Sequence, residues 1–476
     1  MTIRLSNLQD FTLEGYHAVA WRSAPVELDG TALEAIGAAR SRFMKLLDDP
    51  DVVIYGVTTG YGQNAKERLS PEARKEHAAK PVAPPAASWG DPVPERVARG
   101  IVFARLANFI EGHAGIRPEL ASAVAAMLDG RKLPTVPARG QGGAGEILSL
   151  SHLFLGLSRE MTLEEKESLA LVNGSPSATA LVSDSALSGQ RRLKLAAEVF
   201  ALAFEGMNAP LTHLAEELDG YWNNAHDAWA LEVLRDLIDG GSGRERRPYQ
   251  APVSFRIAPR ILGQAHRAVS QSAEVAGQSL AAVSDNPVLL PPDDGHPFGN
   301  AVSTGGYHNA QSPAAMDGLT AAYANIAILV ERMSAKLLDG DVSLLPPQLL
   351  GDDNAPYLGC LSMAATGYEE ELRMLTQATL LPGSESGGFG QNDVASPVFL
   401  AWSKQERAGE LLESALAALC PIALRALDVT GRPVPEKLQP LAASIREAFP
   451  LKDPDLILGP ASGQLAASLR EAIYSG

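Results

Sequence analysis

Five stretches of this chain repeat apolar residues at helical spacing over an unusual length: Ala186–Leu211, Pro259–Ala282, Ala310–Leu338, Tyr357–Leu381 and Pro397–Val429. The mean helix of a globular protein has about 11–12 residues. Segments about twice that long, each with an apolar stripe, bury those stripes best against one another. The expected fold is therefore mostly α, a long central helical bundle. Shorter patterns come first. Thr2–Leu5 reads as a short strand, and Thr12 as the N-cap of a helix over 13–22. Leu33–Leu47 has amphipathic spacing through Leu33, Ile36, Ala39, Phe43, Leu46 and Leu47, and Arg99–Ile110 and Pro118–Leu128 are helical. Pro81, Pro84, Pro85, Pro92 and Pro94 exclude a regular helix over 80–94. The division expected from this is 1–185, a loop-rich N-terminal part, and 186–476, the long bundle with C-terminal helices.

The residues with chemical character lie on the loops. Gly140-Gln141-Gly142-Gly143-Ala144-Gly145-Glu146 runs straight into the apolar segment Ile147-Leu148-Ser149-Leu150-Ser151-His152. Glycines at this density contribute no packing and cost backbone entropy, so they mark a tight turn or a close backbone approach. A phosphate loop is a poor reading, because Glu146 follows where Lys-Ser/Thr belongs. Upstream, Val52-Val53-Ile54-Tyr55-Gly56-Val57-Thr58-Thr59-Gly60-Tyr61-Gly62 reads as a strand entering a second glycine loop. Downstream come Val172-Asn173-Gly174-Ser175, Gln250-Ala251-Pro252-Val253-Ser254-Phe255-Arg256, Val283-Ser284-Asp285-Asn286-Pro287, Thr304-Gly305-Gly306-Tyr307-His308, Leu345-Pro346-Pro347 and Gln391-Asn392-Asp393-Val394.

Taken in order, these motifs resemble those of the aromatic amino acid ammonia-lyases, the histidine, phenylalanine and tyrosine lyases, over about residues 1–430. The second glycine loop is similar to that family's Y-G-V-T-T-G-F-G, and the first to G-S-x-G-A-S-G-D-L-x-P-L-x-H. In the family the Ala-Ser-Gly triplet cyclises into the electrophile methylidene-imidazolone. Here Gly143, Ala144 and Gly145 occupy that position, and alanine has no hydroxyl to lose as water, so the resemblance implies a member without the cofactor. It places Tyr55 on the catalytic base and Arg256 on the arginine that clamps the substrate carboxylate, a task suited to a bidentate guanidinium. It places Asn173, Gln250, Tyr357 and Asn392 on substrate-binding positions. Several departures accompany the lost serine. Val253 replaces a tyrosine that works beside the cofactor, Gly306 an asparagine near the carboxylate, Pro84-Pro85 a Ser-His pair that helps select an imidazole ring, and Asn392 a glutamate or glutamine. Family members form tetramers with each site assembled from three chains, so a homotetramer is expected.

Charge and composition limit the alternatives. Forty basic against fifty-six acidic residues, a net charge of −16, disfavour nucleic acid or an anionic membrane as partner, while a small carboxylate substrate needs only one local cation. The apolar runs, such as Ile326–Val330, fall short of a membrane span, and no basic-then-apolar leader pattern opens the sequence. Cys360 and Cys420 are far apart and read as buried free thiols in a reducing cytoplasm. None of the nine histidines has metal-site spacing, so no metal is expected. His113, His152 and His308 read as hydrogen-bonding groups, Asp285 and Asp393 as capping or supporting residues, and Asp293-Asp294-Gly295-His296 as a polar turn. Gly240–Arg247 reads as a solvated loop. The expected function is a cofactor-free lyase. It would eliminate a good leaving group, such as a quaternary ammonium, from a small aromatic or heteroaromatic amino-acid-like carboxylate. The competing expectations are a catalytically dead binding protein and an isomerase or cyclase using the same tyrosine.

Overall fold

The computed structural model describes residues 2–239, 241, 246–351, 353, 355–383, 391–451, 453 and 455–475. Its described residues are mostly helical. The long helices are Pro176–Gly206, Ala258–Leu280, Gln311–Leu338 and Val398–Asp428, with Gly359–Met374 shorter. Two small sheets accompany them: β1 (Ile3–Leu5) pairs in parallel with β2 (Val26–Leu28), and β3 (Val288–Leu290) pairs antiparallel with β4 (Asn300–Val302). Most of the expected glycine-bearing insertion, 240 and 242–245, lies outside the described residues.

The chain divides into two compact units. The first comprises 1–185, 272–316 and 378–403, and the second 186–271, 317–377 and 404–476. The first unit thus takes in two segments that a contiguous division at 185/186 assigns to the bundle. The second unit has a continuous apolar core running from Leu193 to Ile473. A small core of the first unit joins Phe43, Leu47, Ile54, Val57 and Leu289, which seats the Tyr55 loop on the Gly30–Leu46 helix. The Gln311–Leu338 helix is long and apolar enough to cross a membrane by length and composition, yet 67% of its most apolar window is buried within the chain. That is the behaviour of a core helix.

Several expectations need correcting. Residues 52–55 form no strand. The amides of Val57, Thr58 and Thr59 all converge on the Ile54 carbonyl, and the Thr58 hydroxyl receives the Ile54 amide and donates to Val52 O. Local side-chain bonds of this kind offer the backbone an alternative to a ladder. The helix expected from Ala186 begins ten residues earlier, at Pro176, because its first-turn amides are satisfied by a carboxylate remote in sequence. The helix expected over 357–381 spans only Gly359–Met374, and past its end the Thr376 hydroxyl donates to the Arg373 carbonyl. Cys420 is buried, but Cys360 is exposed. Asp293–His296 is a polar turn, its Asp293 carboxylate accepting from the Gly295 and His296 amides.

Candidate active site

In the first unit, Tyr55 sits half-buried on a loop that only glycine permits. Gly56 is left-handed (φ 70°), and a Cβ there would come within 2.8 Å of Leu169 Cδ2. The Tyr55 hydroxyl accepts from the Gly62 amide at 3.3 Å. Tyr61 packs its ring on His77, centroids 4.6 Å apart, and its phenol is held up first by burial and then by the nearby Tyr55 phenol. Two tyrosines therefore share this loop, where the expected site had one. The available signal was a tyrosine in place of phenylalanine in the family motif.

The modified loop is shaped by two consecutive left-handed residues, Gly145 (φ 63°) and Glu146 (φ 61°). Gly145 has no room for a side chain. A Cβ would lie 2.9 Å from Asn173 Oδ1 and 3.3 Å from the Tyr307 ring. Gly143 O accepts from the Ser396 amide at 3.3 Å. Ala144 presents a methyl group where dehydration requires a hydroxyl, so the residues at this position do not fit formation of methylidene-imidazolone.

Asn173 is brought against the loop, and its amide makes one donated and one accepted hydrogen bond there. Its Nδ2 donates to Asn286 O at 2.8 Å, and its Oδ1 accepts from the Gly174 amide. Asn286 Oδ1 in turn accepts from the Thr304 amide at 2.8 Å, which ties the Tyr307 loop to the same frame. Beside it a cluster joins Glu146 and Asp285, each in a sequence motif, to Arg105 and Lys166, which no motif marks. Arg105, fully buried, donates to the carbonyls of Ala170 and Asn173, and its burial pulls its pKa down to about 10. Lys166 donates to Asp285 at 2.5 Å, with both side chains almost wholly buried. Asp285 is thus an ion-pair partner that supports the Asn286 turn. The carboxylate of Glu146 accepts from the amides of Ser177 (2.6 Å) and Ala178 (2.8 Å), the first turn of the Pro176–Gly206 helix. Burial raises the Glu146 pKa to about 7 against the lowering effect of those amides and of Arg105. Nothing local announces these contacts, because the partners are far apart in sequence.

Asn392, also in the first unit, is half-buried, and Asp393 is exposed. His113 Nδ1 meets Leu289 O at 2.9 Å, and the His152 ring reaches the Ser88 backbone, both hydrogen-bonding roles. His308 is half-buried.

The remaining expected residues belong to the second unit. Arg256 ends a short helix, Val253–Arg256, and its buried Nε has no hydrogen-bond partner among the described residues. The same holds for the buried Nε of Arg74, Arg105, Arg246 and Arg247. His213, whose Nε2 accepts from the Ala251 amide, is held neutral first by burial and then by Arg256 and Arg247. Gln250 is exposed. Tyr357 is exposed too, its phenol lying over Gly359, where a Cβ would collide with the hydroxyl. Among the described residues no group of three or more His, Cys, Asp or Glu is placed to hold a metal. Of two surface clefts in the second unit, one lies between Gln311–Leu338 and Gly359–Met374 and the other around Arg235 and Arg246; neither is lined by an expected site residue.

Comparison with known proteins fits this geometry. The sequence model of the aromatic amino acid lyase family matches residues 11–161 and 156–449. The chain belongs to the aromatic amino acid lyase family. Histidine ammonia-lyase from Streptomyces griseus is 29% identical over 469 residues, 91% of this chain and 88% of that enzyme. The enzyme of the same name from Gloeobacter violaceus is 27% identical over 474 residues, 93% of this chain and 90% of that one. Among solved structures, the ergothioneine-degrading ergothionase of Treponema denticola superposes with a TM-score of 0.90 at 20% identity, covering 99% of both chains. Tyrosine aminomutase from Streptomyces globisporus gives 0.87 at 21%, covering 100% of this chain and 98% of that one. At such identities the structural likeness establishes the fold alone. The family and its homologues point to a lyase.

Proposed function

We propose that this lyase works without methylidene-imidazolone and eliminates a good leaving group from a small aromatic or heteroaromatic amino-acid-like carboxylate. The observation that carries the reading is Ala144 at the centre of the triplet, with Gly145 pressed between Asn173 and Tyr307. In the reaction, Tyr55, as phenolate, takes a proton from the β-carbon. The C–H electrons form the Cα–Cβ double bond, and the leaving group departs with the electrons of its bond to Cα. Arg256 is assigned the carboxylate clamp from its place in the Gln250–Arg256 motif and the bidentate geometry of a guanidinium. Gln250, Tyr357 and Asn392 are assigned to the substrate's remaining contacts, and assembly of a homotetramer would complete the site. Asn173, whose amide already bonds Asn286 O and the Gly174 amide, acts by fixing the loop.

Energetics narrow the substrate. Each tenfold in rate is about 1.4 kcal/mol, and one general base supplies about 10²–10⁴. An α-ammonium is a poor leaving group, and the β-proton of an ordinary amino acid is weakly acidic. With no electrophile to take up the amine, the substrate itself must supply the deficit. A quaternary ammonium, or a proton next to a carbonyl or electron-poor ring, does so. The purified protein is expected to leave free phenylalanine, tyrosine and histidine unchanged in ultraviolet assays for cinnamate, coumarate and urocanate, and to release trimethylamine from a matching betaine. Peptide mapping is expected to show 143–145 with no loss of water. Brisk ammonia release from any of the three amino acids, or a triplet two waters short, overturns the reading.

A further inference from the structure

Apart from the residues assigned to the site, the second unit brings two histidines together. His226 lies in the first turn of the helix Ala225–Ile238, and His266 lies within Ala258–Leu280. Forty positions separate them, so no metal-site spacing in the sequence announces the pair. The two helices approach closely at Gly263, where a Cβ would collide with Asp227 Oδ1 and come within 2.9 Å of the Asp227 Cα. Residues three apart share a helix face, so His266 lies on the face that Gly263 presses against the other helix. The His266 ring is stacked on Trp229, with centroids 4.0 Å apart at 19°. Trp229 itself packs against the core of the unit. The neighbouring polar groups already have partners. Asn224 Oδ1 accepts from the amides of His226 and Asp227, and the Asp227 carboxylate is paired with Arg260, which lies over the Trp222 ring at 4.7 Å. The two imidazoles, both half-buried, are left facing each other with their Nδ1 atoms 3.1 Å apart.

We infer that His226 and His266 form a chelating site for one divalent transition-metal ion of the kind imidazole prefers, copper, nickel or zinc, held through both Nδ1 atoms with water in its remaining positions. The bite is right for this. Imidazole nitrogens about 2.0–2.1 Å from an ion, at angles of about 90–110°, stand about 2.8–3.4 Å apart. The competing reading is a plain hydrogen bond between neutral rings, one of which carries its hydrogen on Nδ1. A straight N–H···N bond along both ring axes puts the centroids about 5.4 Å apart. They are 4.9 Å apart, with the rings at 74°. Two rings that both point at one ion have centroids about 4.8–4.9 Å apart.

The chemistry is consistent with the geometry. Binding needs both Nδ1 lone pairs, so the ring that carries Nδ1–H moves that hydrogen to Nε2 through solvent, and the neutral pair releases no net proton. Burial, and after it His226, holds the His266 ring below the ordinary histidine range, which favours the neutral ligand form. A pair of nitrogen donors selects copper, nickel and zinc over magnesium and calcium, which prefer oxygen. The net charge of −16 draws cations toward the chain. Among the described residues no group of three or more His, Cys, Asp or Glu forms here, so the ion retains open positions.

The test uses no substrate. Copper(II), nickel(II) and zinc(II) sulfates are titrated calorimetrically at neutral pH into the metal-free native protein and into His226→Asn and His266→Asn. The copper-loaded proteins are then compared by electron paramagnetic resonance. Asparagine can still hydrogen-bond the remaining ring, but its amide is a poor ligand for these ions. The native protein is expected to bind one ion per chain, copper most tightly, with hyperfine structure from two imidazole nitrogens. Each variant is expected to bind at least about tenfold more weakly, the least that loss of even an outer partner costs a metal site, while unfolding at nearly the native midpoint. Equal affinity in the native protein and both variants overturns the inference, because the ion then sits elsewhere. So does native protein that takes up copper only at several weak sites, or whose spectrum shows fewer than two imidazole nitrogens, and that result stands even if the variants do not fold.

Discussion

In the first unit, Arg105, Lys166, Glu146 and Asp285 are buried and each has a partner: backbone carbonyls, helix amides or one another. In the second, Arg256 has a buried Nε with no partner among the described residues, and Gln250 and Tyr357 stand exposed. The first arrangement is that of a frame, because each of these groups is held by a partner remote in sequence, although the Arg105 Nε is unpaired like that of Arg256. The second differs in exposure: Gln250 and Tyr357 are open to solvent, where the first unit's groups are buried. Asn173 shows why the distinction matters. By motif it belongs with Arg256, as a substrate contact, but by its hydrogen bonds it belongs to the frame.

Substitutions can break this contrast, beginning with the strongest. Tyr55→Phe is expected to lower turnover by about 10²–10⁴ with little change in binding, the contribution of a general base. A variant with full rate on the true substrate would make Tyr55 a loop residue and leave the base to be found, with Tyr61 the first candidate. Lys166→Met is expected to cost about 3–5 kcal/mol in chemical unfolding, because it leaves Asp285 buried without its cation. A loss below about 1 kcal/mol, the surface-pair range, would remove the pair from the frame. Arg256→Ala is expected to weaken a bound carboxylate by about 2–5 kcal/mol while leaving the unfolding midpoint nearly unchanged, the reverse of the Lys166 pattern. If it destabilises the fold and spares binding, the contrast between the two regions is wrong. Gly145→Ala is expected to cost about 1–3 kcal/mol from its left-handed backbone and the approach to Asn173. The smallest effect concerns the thiols. In the native protein a thiol reagent should label Cys360 and spare Cys420, whose thiol burial holds far above its ordinary pKa. Labelling of both would mean that the second core opens.

The long helices were legible because each carries its own evidence: an apolar stripe repeated over many turns needs no knowledge of its partner. The family was legible from ordered motifs, and the proposal of a cofactor-free site rests on Ala144, which has no hydroxyl to lose. Where elements begin and end was less so. Residues 52–55 have strand composition, but the Thr58 hydroxyl and three amides converging at Ile54 fold them into a turn. Pro176 starts its helix under a cap supplied from thirty-one residues away, by Glu146. The supporting cluster was legible only in part: Asp285 reads from its motif as a supporting residue, but its partner does not. Lys166 and Asp285 are 119 positions apart, and nothing in either's neighbourhood says that it will be buried. Sequence determines which groups are available and which chemistry is lost. Tertiary structure decides which of them are desolvated together, because burial and pairing join residues far apart in sequence.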